Sequence, residues 1–412
     1  MNDDTHNQIV DLDIAVIGGG IAGLWLMNRL MSEGYHCALF EESALGSNQT
    51  IASQGMIHGG IKYTLSGALS KASESIADMP DYWQRCLRGE GDVDLQSAKI
   101  LSDHFYFWSS DGAASKMTTF FASKAVHGRV KKLSREKFPD VLNHPQFSGN
   151  VYQLRDIVLD VPSVIQSLGD NISGSAHLIN DYNSSWQCND NGEAELLISN
   201  DREAIVVRAK QFILTAGRGN EDILAQLGLE TPEMQLRPLH QVWIKHRLPY
   251  QVFGHCLGAD STPRLSISTH PCSDGSLVWY LGGSIAEEGV DQSPEDVINA
   301  AKNEIADLFP WLDLSDAEWQ AVRVERAEAK QRQFLRPDKA YIKAAPKLNN
   351  VLVGWPTKLT LAPNLANEAL SLLKKNKIVP NSDLGAKENR AKTSSLLQSF
   401  PKPPVAVPLW DK

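Results

Sequence analysis

The chain has 412 residues, of which 42% are hydrophobic and 22% are charged, as is usual for a soluble globular protein. Length alone predicts two or three domains with a large buried core. The net charge of −9 argues against nucleic acid as a partner. One basic stretch, residues 124–137, is typical of a solvated face, with an anionic membrane surface as the alternative.

The cysteines and the first residues indicate a reducing, cytoplasmic location. The five cysteines include no C-x-x-C pair, which argues against a disulfide framework and against a zinc site, and no other metal site is predicted. The opening MNDDTHNQ lacks the basic start and apolar core of a secretory signal. The apolar segment 14–27 contains four glycines and is too short to span a bilayer. Peripheral membrane contact stays an open alternative.

Residues 14–41 are predicted to form a strand, a glycine-rich turn, a helix and a second strand. The continuous apolar run Ile14–Ile17 is typical of a parallel strand buried on both faces. Apolar residues then follow at helical spacing until Gly34, which marks a helix end. A second apolar strand, residues 38–40, is followed directly by Glu41.

Gly18, Gly20 and Gly23 give the pattern G-x-G-x-x-G between that strand and that helix. This context, with an acid at the end of the next strand, is what dinucleotide binding needs. Gly18 permits a tight turn, Gly20 lets a pyrophosphate approach, and Gly23 lets helix and strand pack closely. The helix N-terminus offers N–H groups to the phosphates, and Glu41 can accept hydrogen bonds from a ribose. The pattern alone does not distinguish NAD from FAD.

Two further segments favour FAD. The long small-residue segment SALGSNQTIASQGMIHGGIKYTLSGA stands where a nicotinamide-binding domain usually has another strand and helix. It can lie along an extended cofactor and present its own N–H groups. The stretch FILTAGRGN, residues 212–220, is a buried strand that ends in the small residues Thr215, Ala216 and Gly217. An ordinary loop and an ordinary strand end are the alternatives.

The second half of the chain predicts a different architecture. Residues 236–285 contain short aromatic or β-branched runs separated by turn residues, which is typical of an antiparallel sheet. Residues 293–308 are predicted to be a helix, with Ser293 as its N-cap and Pro294 at its first position. The tail 376–412 is basic and then proline-rich, which predicts an extended or partly mobile surface segment.

Several of these segments resemble the FAD-dependent superfamily of D-amino-acid oxidase, glycine oxidase, L-2-hydroxyglutarate oxidase and glycerol-3-phosphate dehydrogenase. QTIASQGMIHGGIKY is similar to the stretch around the His-Gly-Gly or His-Ala-Gly of the last two, and TAGRG resembles a superfamily FAD motif. Residues 358–360 are like the Lys-Leu-Thr of glycerol-3-phosphate dehydrogenases, whereas residues 361–363 are like the Leu-Ala-Pro of amino-acid oxidases. The Arg-Pro of FLRPDKA is placed like one in both groups.

The resemblance implies an α/β fold with a discontinuous, Rossmann-like FAD-binding domain of the glutathione-reductase type and an antiparallel β-sheet substrate domain. The FAD-binding domain would comprise residues 10–75, 155–230 and 333–375, the substrate or cap domain residues 76–154 and 231–332, and the tail residues 376–412. The predicted FAD-binding positions are Gly18, Gly20, Gly23, Glu41, Thr50, Ser53, Gln54, Gly55, Gly59, Thr215, Ala216, Gly217, Lys358, Leu359 and Thr360.

Two residues are the first candidates for substrate chemistry. His58, next to two glycines, could accept a substrate hydroxyl proton as a general base, orient the flavin or link to it covalently. A hydrogen-bonded loop histidine is the alternative. Arg336, which precedes a proline, could clamp a carboxylate or phosphate through two parallel hydrogen bonds. Its alternatives are a surface position and an ion pair with Asp338.

A helix predicted to begin near Pro363 would direct its N–H groups and dipole at the pyrimidine edge of the flavin, with Lys358 and Thr360 as additional donors. A capped surface helix is the alternative. His270 is a second candidate base, against a hydrogen-bonded strand histidine. The weaker candidates, more typical of structural roles, are Arg237, His240, His255 and Arg326.

The sequence predicts an FAD-dependent dehydrogenase or oxidase. It would oxidise a small polar hydroxy compound that carries a carboxylate or phosphate. Amine or amino-acid oxidation is one alternative, a non-catalytic flavin-binding scaffold is another, and an NAD-binding dehydrogenase is a third. No second G-x-G-x-x-G has strand–helix context, so electrons are expected to come from an organic substrate rather than NAD(P)H. They would leave to oxygen, a quinone or another carrier.

Overall fold

The structure is a computed structural model that describes residues 8–60, 76–109, 130–201, 204–258, 262–331, 339–381 and 384–412. The strands are β1 (Gln8–Ile17), β2 (Cys37–Glu41), β3 (Met56–Ile57), β4 (Ile100–Ser102), β5 (Phe105–Ser109), β6 (Val130–Lys132), β7 (Val151–Leu154), β8 (Ile157–Leu159), β9 (Ala176–Leu178), β10 (Asn183–Cys188), β11 (Ala194–Ser199), β12 (Ala204–Leu214), β13 (Met234–His246), β14 (Gly254–Leu257), β15 (Leu265–Pro271), β16 (Leu277–Gly282), β17 (Glu318–Ala329), β18 (Tyr341–Ala344) and β19 (Val351–Trp355). The helices are α1 (Ile21–Ser32), α2 (Met79–Leu87), α3 (Val161–Asn171), α4 (Gly219–Gln226), α5 (Ser284–Glu288), α6 (Pro294–Leu308), α7 (Ala362–Lys375) and α8 (Leu384–Leu397).

The first sheet has a parallel centre with β1 in the middle. Strand β1 pairs in parallel with β2 on one side and with β12 on the other, and β9 extends the sheet beyond β2. Strand β12 is long enough to be shared along its outer edge, where its first half pairs with β11 and its last residues pair with β19. The apolar run Ile14–Ile17 is buried on both faces, as the sequence predicts.

Helices cover both faces of this sheet. Helices α1, α3 and α7 bury one face in a cluster that includes Leu24, Ile165 and Leu373. The opposite face buries Phe212 and Leu397 in a second cluster. Burying one such side chain fully stabilises the fold by about 1.5–3 kcal/mol, so both faces are secured by packing rather than by the strand ladder alone.

The second sheet is mainly antiparallel, in the order β17-β13-β16-β15-β14-β5-β7-β6. Its only parallel pair among the described strands is β5 with β14. Helix α6 packs against one face through Val297, Ala301 and Ile305. The helix begins as predicted, because the hydroxyl of Ser293 accepts a hydrogen bond from the N–H of Asp296 at 3.2 Å. The other face of the sheet is turned toward the segment that follows β2.

A third, small sheet joins the two larger units. Strand β3 pairs antiparallel with β8, with Met56 opposite Val158 and Ile57 opposite Ile157. Strand β4 pairs with the other edge of β8. The short strand β3 is therefore fixed in place directly before His58.

The C-terminal tail differs from the extended segment that the sequence predicts. Residues 384–397 form α8, which contacts the first sheet through Thr393, whose hydroxyl donates to the carbonyl of Asp11 at 3.4 Å. Leu397 and Phe400 are buried against the same sheet. Residues 401–408 form no helix and no strand apart from the β-bridge at Val405. The prolines that suggested an extended tail are confined to that last part, whereas the preceding residues are good helix formers. No helix among the described residues is long and apolar enough to cross a membrane.

Candidate active site

The glycine-rich turn lies between β1 and α1. Gly18 has φ +99°, its N–H donates to the carbonyl of Phe40, and a Cβ on it would lie 2.5 Å from Cα of Ala216. A Cβ on Gly23 would lie 2.0 Å from the carbonyl oxygen of Gly18. Gly20 is the N-cap of α1 in an extended conformation and has no side chain with which to cap the helix. The helix N-terminus is thus available to a phosphate group.

Glu41 lies at the end of β2 beside this turn. Its carboxylate is 8% exposed and accepts hydrogen bonds from the N–H of Gly19 at 2.5 Å and from the N–H of Ser43 at 2.9 Å. A carboxylate has about four acceptor positions, so these bonds leave room for a ribose hydroxyl. The predicted acidic residue is therefore located at the predicted turn.

The segment after β2 crosses the N-terminus of α1. The hydroxyl of Thr50 accepts a hydrogen bond from the N–H of Ile21 at 3.1 Å. The hydroxyl of Ser53 is buried and has no hydrogen-bond partner among the described residues. A buried hydroxyl without a partner is costly unless a ligand or water satisfies it. Ser53 therefore fits a position that a bound cofactor would complete.

The same segment then turns toward the second sheet. The side-chain amide of Gln54 donates to the carbonyl of Tyr280 at 2.6 Å. Gly55 has φ +70°, and a Cβ on it would lie 2.1 Å from the carbonyl oxygen of Leu159. A side chain at this position would therefore collide with β8. Gln54 therefore connects the segment to the second sheet, and Gly55 lies against the third.

His58 follows β3 and is half-buried. On one side Ile57 is paired with β8, and on the other the N–H of Gly59 donates to a carboxylate oxygen of Asp156 at 3.0 Å. The backbone of the histidine is therefore held from both sides.

The segment after β12 lies directly against the turn. The hydroxyl of Thr215 lies 3.0 Å from the carbonyl oxygens of both Ile17 and Gly18. The N–H of Ala216 donates to the side chain of Asn220 at 2.8 Å, and Gly217 has φ +59° with open space around it. These contacts place Thr215, Ala216 and Gly217 beside the glycine-rich turn that leads into α1.

The segment between β19 and α7 reaches β3. The hydroxyl of Thr360 donates to the carbonyl of Met56 at 3.3 Å, and the indole N–H of Trp83 donates to the carbonyl of Thr360 at 3.1 Å. Helix α7 starts just after and has no side-chain cap. The N-terminus of α7 is therefore close to the segment that carries His58, with the half-buried Lys358 and Leu359 immediately before it.

The second sheet contributes a polar wall, of which the sequence indicated only His255, as a residue more typical of a structural role. Ser266 lies opposite Gly282, and a Cβ on Gly282 would lie 2.8 Å from the side-chain oxygen of Gln54. The hydroxyl of Ser266 is 2.7 Å from Nδ1 of His255. Gln241 lies 2.9 Å from the hydroxyl of Tyr280. We call Gln241, His255, Ser266 and Tyr280 the polar wall.

Aromatic rings fix the end of the polar wall at His255. The imidazole lies edge-on to Phe105 at 4.7 Å and stacks on Phe107 at 5.6 Å between ring centroids. Met56, two residues before His58, packs against the same cluster. His255, which the sequence suggested was structural, is therefore located across from β3. Only strand register could have revealed this, because nothing in the local sequence distinguishes it.

The other candidates have local partners. His270 is 2% exposed, its Nε2 is 2.8 Å from the hydroxyl of Ser268, and burial lowers its pKa to about 3. His240 pairs with the carbonyl of Gly289 at 3.0 Å. Arg237 forms an ion pair with the buried Glu328 at 2.8 Å. These contacts favour the structural alternative for each.

Two predicted arginines remain. Nε of Arg326 donates to the carbonyl of Arg237 at 2.9 Å, which ties β17 to β13 and favours a structural role. Arg336 lies outside the described residues. Among those residues no group of His, Cys, Asp or Glu is arranged to hold a metal ion.

A groove of about 330 Å³ lies between α6 and the loop before β17, lined in part by Ile305, Phe309 and Trp319. Helix α6 covers the face of the second sheet opposite the polar wall. The groove is consequently separate from the site formed by the glycine-rich turn and the segment 45–60.

The geometry defines a class of protein. A parallel sheet whose glycine-rich turn leads into a helix N-terminus is the usual site for a dinucleotide, and here the segment that crosses this turn also contacts an antiparallel sheet. A family model described as FAD dependent oxidoreductase (DAO) matches residues 13–353, and the chain belongs to this family. FAD is its cofactor, and the residues at the turn fit the pyrophosphate and ribose of that cofactor.

Named relatives agree with this assignment. The probable FAD-dependent oxidoreductase PA4991 of Pseudomonas aeruginosa is 44% identical over 405 residues, which cover 98% of both chains. Its crystal structure superposes with a TM-score of 0.81 and 38% identity, again over 98% of both chains. The protein is therefore an FAD-dependent oxidoreductase with an α/β fold.

Two more distant structures show the fold alone. Glycine oxidase from Geobacillus kaustophilus has a TM-score of 0.60 at 17% identity, over 90% of this chain and 96% of its own. L-alpha-glycerophosphate oxidase from Mycoplasma pneumoniae, solved with FAD bound, has a TM-score of 0.62 at 15% identity, over 88% of this chain and 95% of its own.

Proposed function

We propose that the protein oxidises a small polar hydroxy compound that carries a carboxylate or a phosphate, with transfer of a hydride to flavin N5. The observation that supports this most directly is the position of His58. It is half-buried, follows the paired strand β3 and precedes Gly59, whose N–H is held by Asp156. Bound FAD supplies the two-electron acceptor. The residues of the chain place the substrate and take up its proton.

His58 is the proposed general base. An alcohol keeps its hydroxyl proton at neutral pH, so removal of a hydride from its carbon needs a group that accepts this proton. Imidazole titrates near neutrality and suits this role. Because the backbone on both sides of His58 is hydrogen-bonded, the ring would be presented in a restricted set of positions, as proximity catalysis requires.

The N-terminus of α7 is the proposed site that stabilises negative charge. The helix has no side-chain cap, and its N-terminus, the positive end of its backbone dipole, lies near β3. Lys374 and Lys375 are at its other end, where they complement the negative end of the dipole. Lys358 and Thr360 precede it and would add donors near the pyrimidine edge of the flavin. Such fixed donors stabilise charge that develops during the reaction.

The polar wall is the proposed substrate side. Its groups are the hydroxyl of Ser266, the imidazole of His255 and the amide of Gln241, which suit a small polar molecule. Arg336 remains the proposed clamp for the carboxylate or phosphate, since a guanidinium binds either group through two parallel hydrogen bonds. His270 is proposed as a core residue rather than a base.

Oxidation of an amine is the second candidate. Residues 361–363, Leu-Ala-Pro, form the beginning of α7, and this stretch resembles the closing motif of amino-acid oxidases. A neutral amine needs no base for hydride removal, so this reaction would not depend on His58. A flavin-binding scaffold without turnover is the third candidate, and it predicts no reduction by any metabolite.

We also propose the division of the chain into the FAD-binding residues 10–75, 155–230 and 333–375, the substrate residues 76–154 and 231–332, and the tail. The electron acceptor would be oxygen, a quinone or another carrier. A cytoplasmic location is consistent with five cysteines that are all free thiols.

Anaerobic reduction of the purified flavoprotein tests the proposal. The protein would be mixed with 2-hydroxy acids, glycerol phosphate and amino acids in separate experiments, and the visible absorbance of the flavin would be followed. We expect rapid bleaching by one hydroxy compound and none by the corresponding amine. Bleaching by amines alone would replace the proposal with the second candidate, and bleaching by no compound would favour the scaffold.

A further inference from the structure

The C-terminal residues cross from the first sheet to the second. At the first sheet, the N–H of Leu45 donates to the carbonyl of Pro404 at 2.8 Å, and the N–H of Ala406 donates to the carbonyl of Leu45 at 3.0 Å. Leu45 and Val405 form a parallel β-bridge. We call residues 404–411 the C-terminal clamp.

Leu45 lies directly against the glycine-rich turn. A Cβ on Gly19 would lie 2.7 Å from Cδ2 of Leu45, so the leucine side chain is packed on the turn. The N–H of Gly46 donates to the carbonyl of Gly19 at 2.8 Å. One end of the C-terminal clamp therefore holds the residues that contact the phosphate-binding backbone.

The other end of the C-terminal clamp is anchored on the second sheet. Trp410 is 7% exposed, and its ring lies 4.9 Å from that of His270 and 5.5 Å from that of Tyr280. The next residue, Asp411, accepts hydrogen bonds from the N–H and hydroxyl of Ser273 at 3.0 and 2.9 Å. The last residues are thus fixed both by packing and by hydrogen bonds.

Tyr280 connects Trp410 to the same segment that Leu45 begins. The hydroxyl of Tyr280 lies 3.1 Å from the carbonyl of Ala52, and its own carbonyl accepts the amide of Gln54 at 2.6 Å. The C-terminal clamp therefore acts on segment 45–54 at both ends, directly at Leu45 and through Tyr280 at residues 52–54.

We propose that the C-terminal clamp preorganises segment 45–54 and thereby sets the affinity for FAD. The segment carries Thr50, which bonds to the N-terminal turn of α1, and the buried Ser53 hydroxyl. A segment that is already ordered loses less conformational entropy when a ligand binds, so the ligand binds more tightly. Residues at the end of the chain thus act as positioning residues for a cofactor held at its beginning.

A proline substitution tests the end of the C-terminal clamp that is hydrogen-bonded to Leu45. Ala406→Pro removes the N–H that donates to the carbonyl of Leu45, whereas Val407→Pro introduces the same residue at a neighbouring position that is 50% exposed. After removal of FAD, the dissociation constant would be measured by titration of the apoprotein. We expect Ala406→Pro to raise it by on the order of tenfold, as loss of one hydrogen bond allows. Val407→Pro should stay within about twofold of the unmodified chain.

Trp410 tests the other end. Its indole Nε1 is buried without a hydrogen-bond partner among the described residues, so Trp410→Phe keeps the ring packing and breaks no described hydrogen bond. Trp410→Ala removes the ring from Tyr280 and His270. We expect Trp410→Ala to raise the dissociation constant for FAD about fivefold and to alter the visible spectrum of the bound flavin. The conservative Trp410→Phe variant should keep both the dissociation constant for FAD and the visible spectrum of the unmodified chain.

Measurements on the apoprotein separate positioning from general stability. Thermal unfolding of each apoprotein, followed by circular dichroism, identifies variants that fail to fold, and FAD titrations would be made well below each midpoint. Loss of FAD affinity in folded Ala406→Pro and Trp410→Ala apoproteins supports the inference, whatever the substrate proves to be. Affinities within about twofold of the unmodified chain for both variants would overturn it. If one variant does not fold, the other decides alone.

Discussion

The glycine-rich turn and the polar wall hold their functional groups in different ways. At the turn, Gly18, Gly23 and Glu41 are close in the chain, and their contacts are made to backbone atoms. On the wall, Gln241 and Ser266 come from separate strands, and their contacts are made through side chains. Close contacts with backbone atoms leave almost no space for an added side-chain atom. A side chain that contacts another side chain can instead be replaced by one of similar size. A single change should therefore abolish the function of the turn but only adjust that of the wall.

Gly23→Ala should have the largest effect, because it tests the claim that the turn has no spare volume. A Cβ at this position would lie 2.0 Å from the carbonyl oxygen of Gly18, so helix α1 must move away from β1. We expect loss of bound FAD and a decrease in the free energy of unfolding of about 1–3 kcal/mol. Flavin absorbance per protein and urea unfolding would measure the two effects.

The control for that change is Gly174→Ala, since nothing lies within 4 Å of a Cβ at Gly174. This variant should retain FAD and unfold within about 0.5 kcal/mol of the unmodified chain, as surface substitutions do. A Gly23→Ala protein with full FAD content would show that the turn accommodates an added methyl group. The turn would then be no more sensitive to substitution than the wall.

His58→Asn tests the proposed chemistry at the segment between the turn and the wall. If His58 accepts the hydroxyl proton, anaerobic flavin reduction by the hydroxy substrate should slow by about 10²–10⁴-fold while FAD stays bound. The matched change His144→Asn, at a histidine stacked on Trp311 outside the site, should leave the rate unchanged. Equal rates for His58→Asn and the unmodified chain would favour an amine substrate.

Acid should act more strongly on the second sheet than on the first. Burial lowers the pKa of His177 on β9 and of His246 on β13 to about 4, and that of His270 on β15 to about 3. An unfolded histidine has a pKa of about 6.5, so the unfolded state binds more protons below that pH. The stability contributed by each neutral histidine is complete above about pH 6.5 and is lost as the pH falls toward the folded pKa.

The expected loss is about 3 kcal/mol at pH 4 for one group with a folded pKa of 4. Burial also lowers the pKa of His36, directly before β2, but among the described histidines whose pKa falls to about 4 or below, one is in the first sheet and two are in the second. The amide hydrogens of the second sheet should therefore lose protection against exchange before those of the first sheet as the pH falls from about 6.5 to 4. Hydrogen exchange followed by mass spectrometry at several pH values would show this order. Earlier opening of β1 and β12 would contradict it.

The sequence predicted the turn and its surroundings because the interactions there are local or made to backbone. The order of strand, glycines, helix and acid between residues 14 and 41 leaves one arrangement for a parallel βαβ unit, and β1, α1 and β2 have it. Helix α6 was predictable for the same reason, since Ser293 and Pro294 specify its start within the chain itself.

The wall and the tail could not be predicted because they depend on register and on distant packing. His255 lies across from β3 only because β14 pairs with β5 and β15, and no pattern near residue 255 specifies those partners. Similarly, the helix α8 and the burial of Trp410 follow from contacts with strands more than a hundred residues earlier. The proline content predicted that the last residues of the tail are not helical. It did not predict that the tail packs against the two sheets.

Ser266→Ala should have the smallest effect and the most specific one. It leaves Nδ1 of His255 without the hydroxyl that lies 2.7 Å away, at a site where both residues are buried. We expect a loss of about 1–2 kcal/mol in the free energy of unfolding and an increase of about tenfold in the dissociation constant of the substrate, with FAD affinity unchanged.

The control is Ser268→Ala, which breaks an equivalent 2.8 Å contact with His270, whose ring lies against that of Trp410. It should cost similar stability without affecting substrate binding, because only Ser266 lies opposite Gly282 and the Gln54 side chain. Equal changes in substrate affinity for the two variants would mean that the wall acts through stability alone.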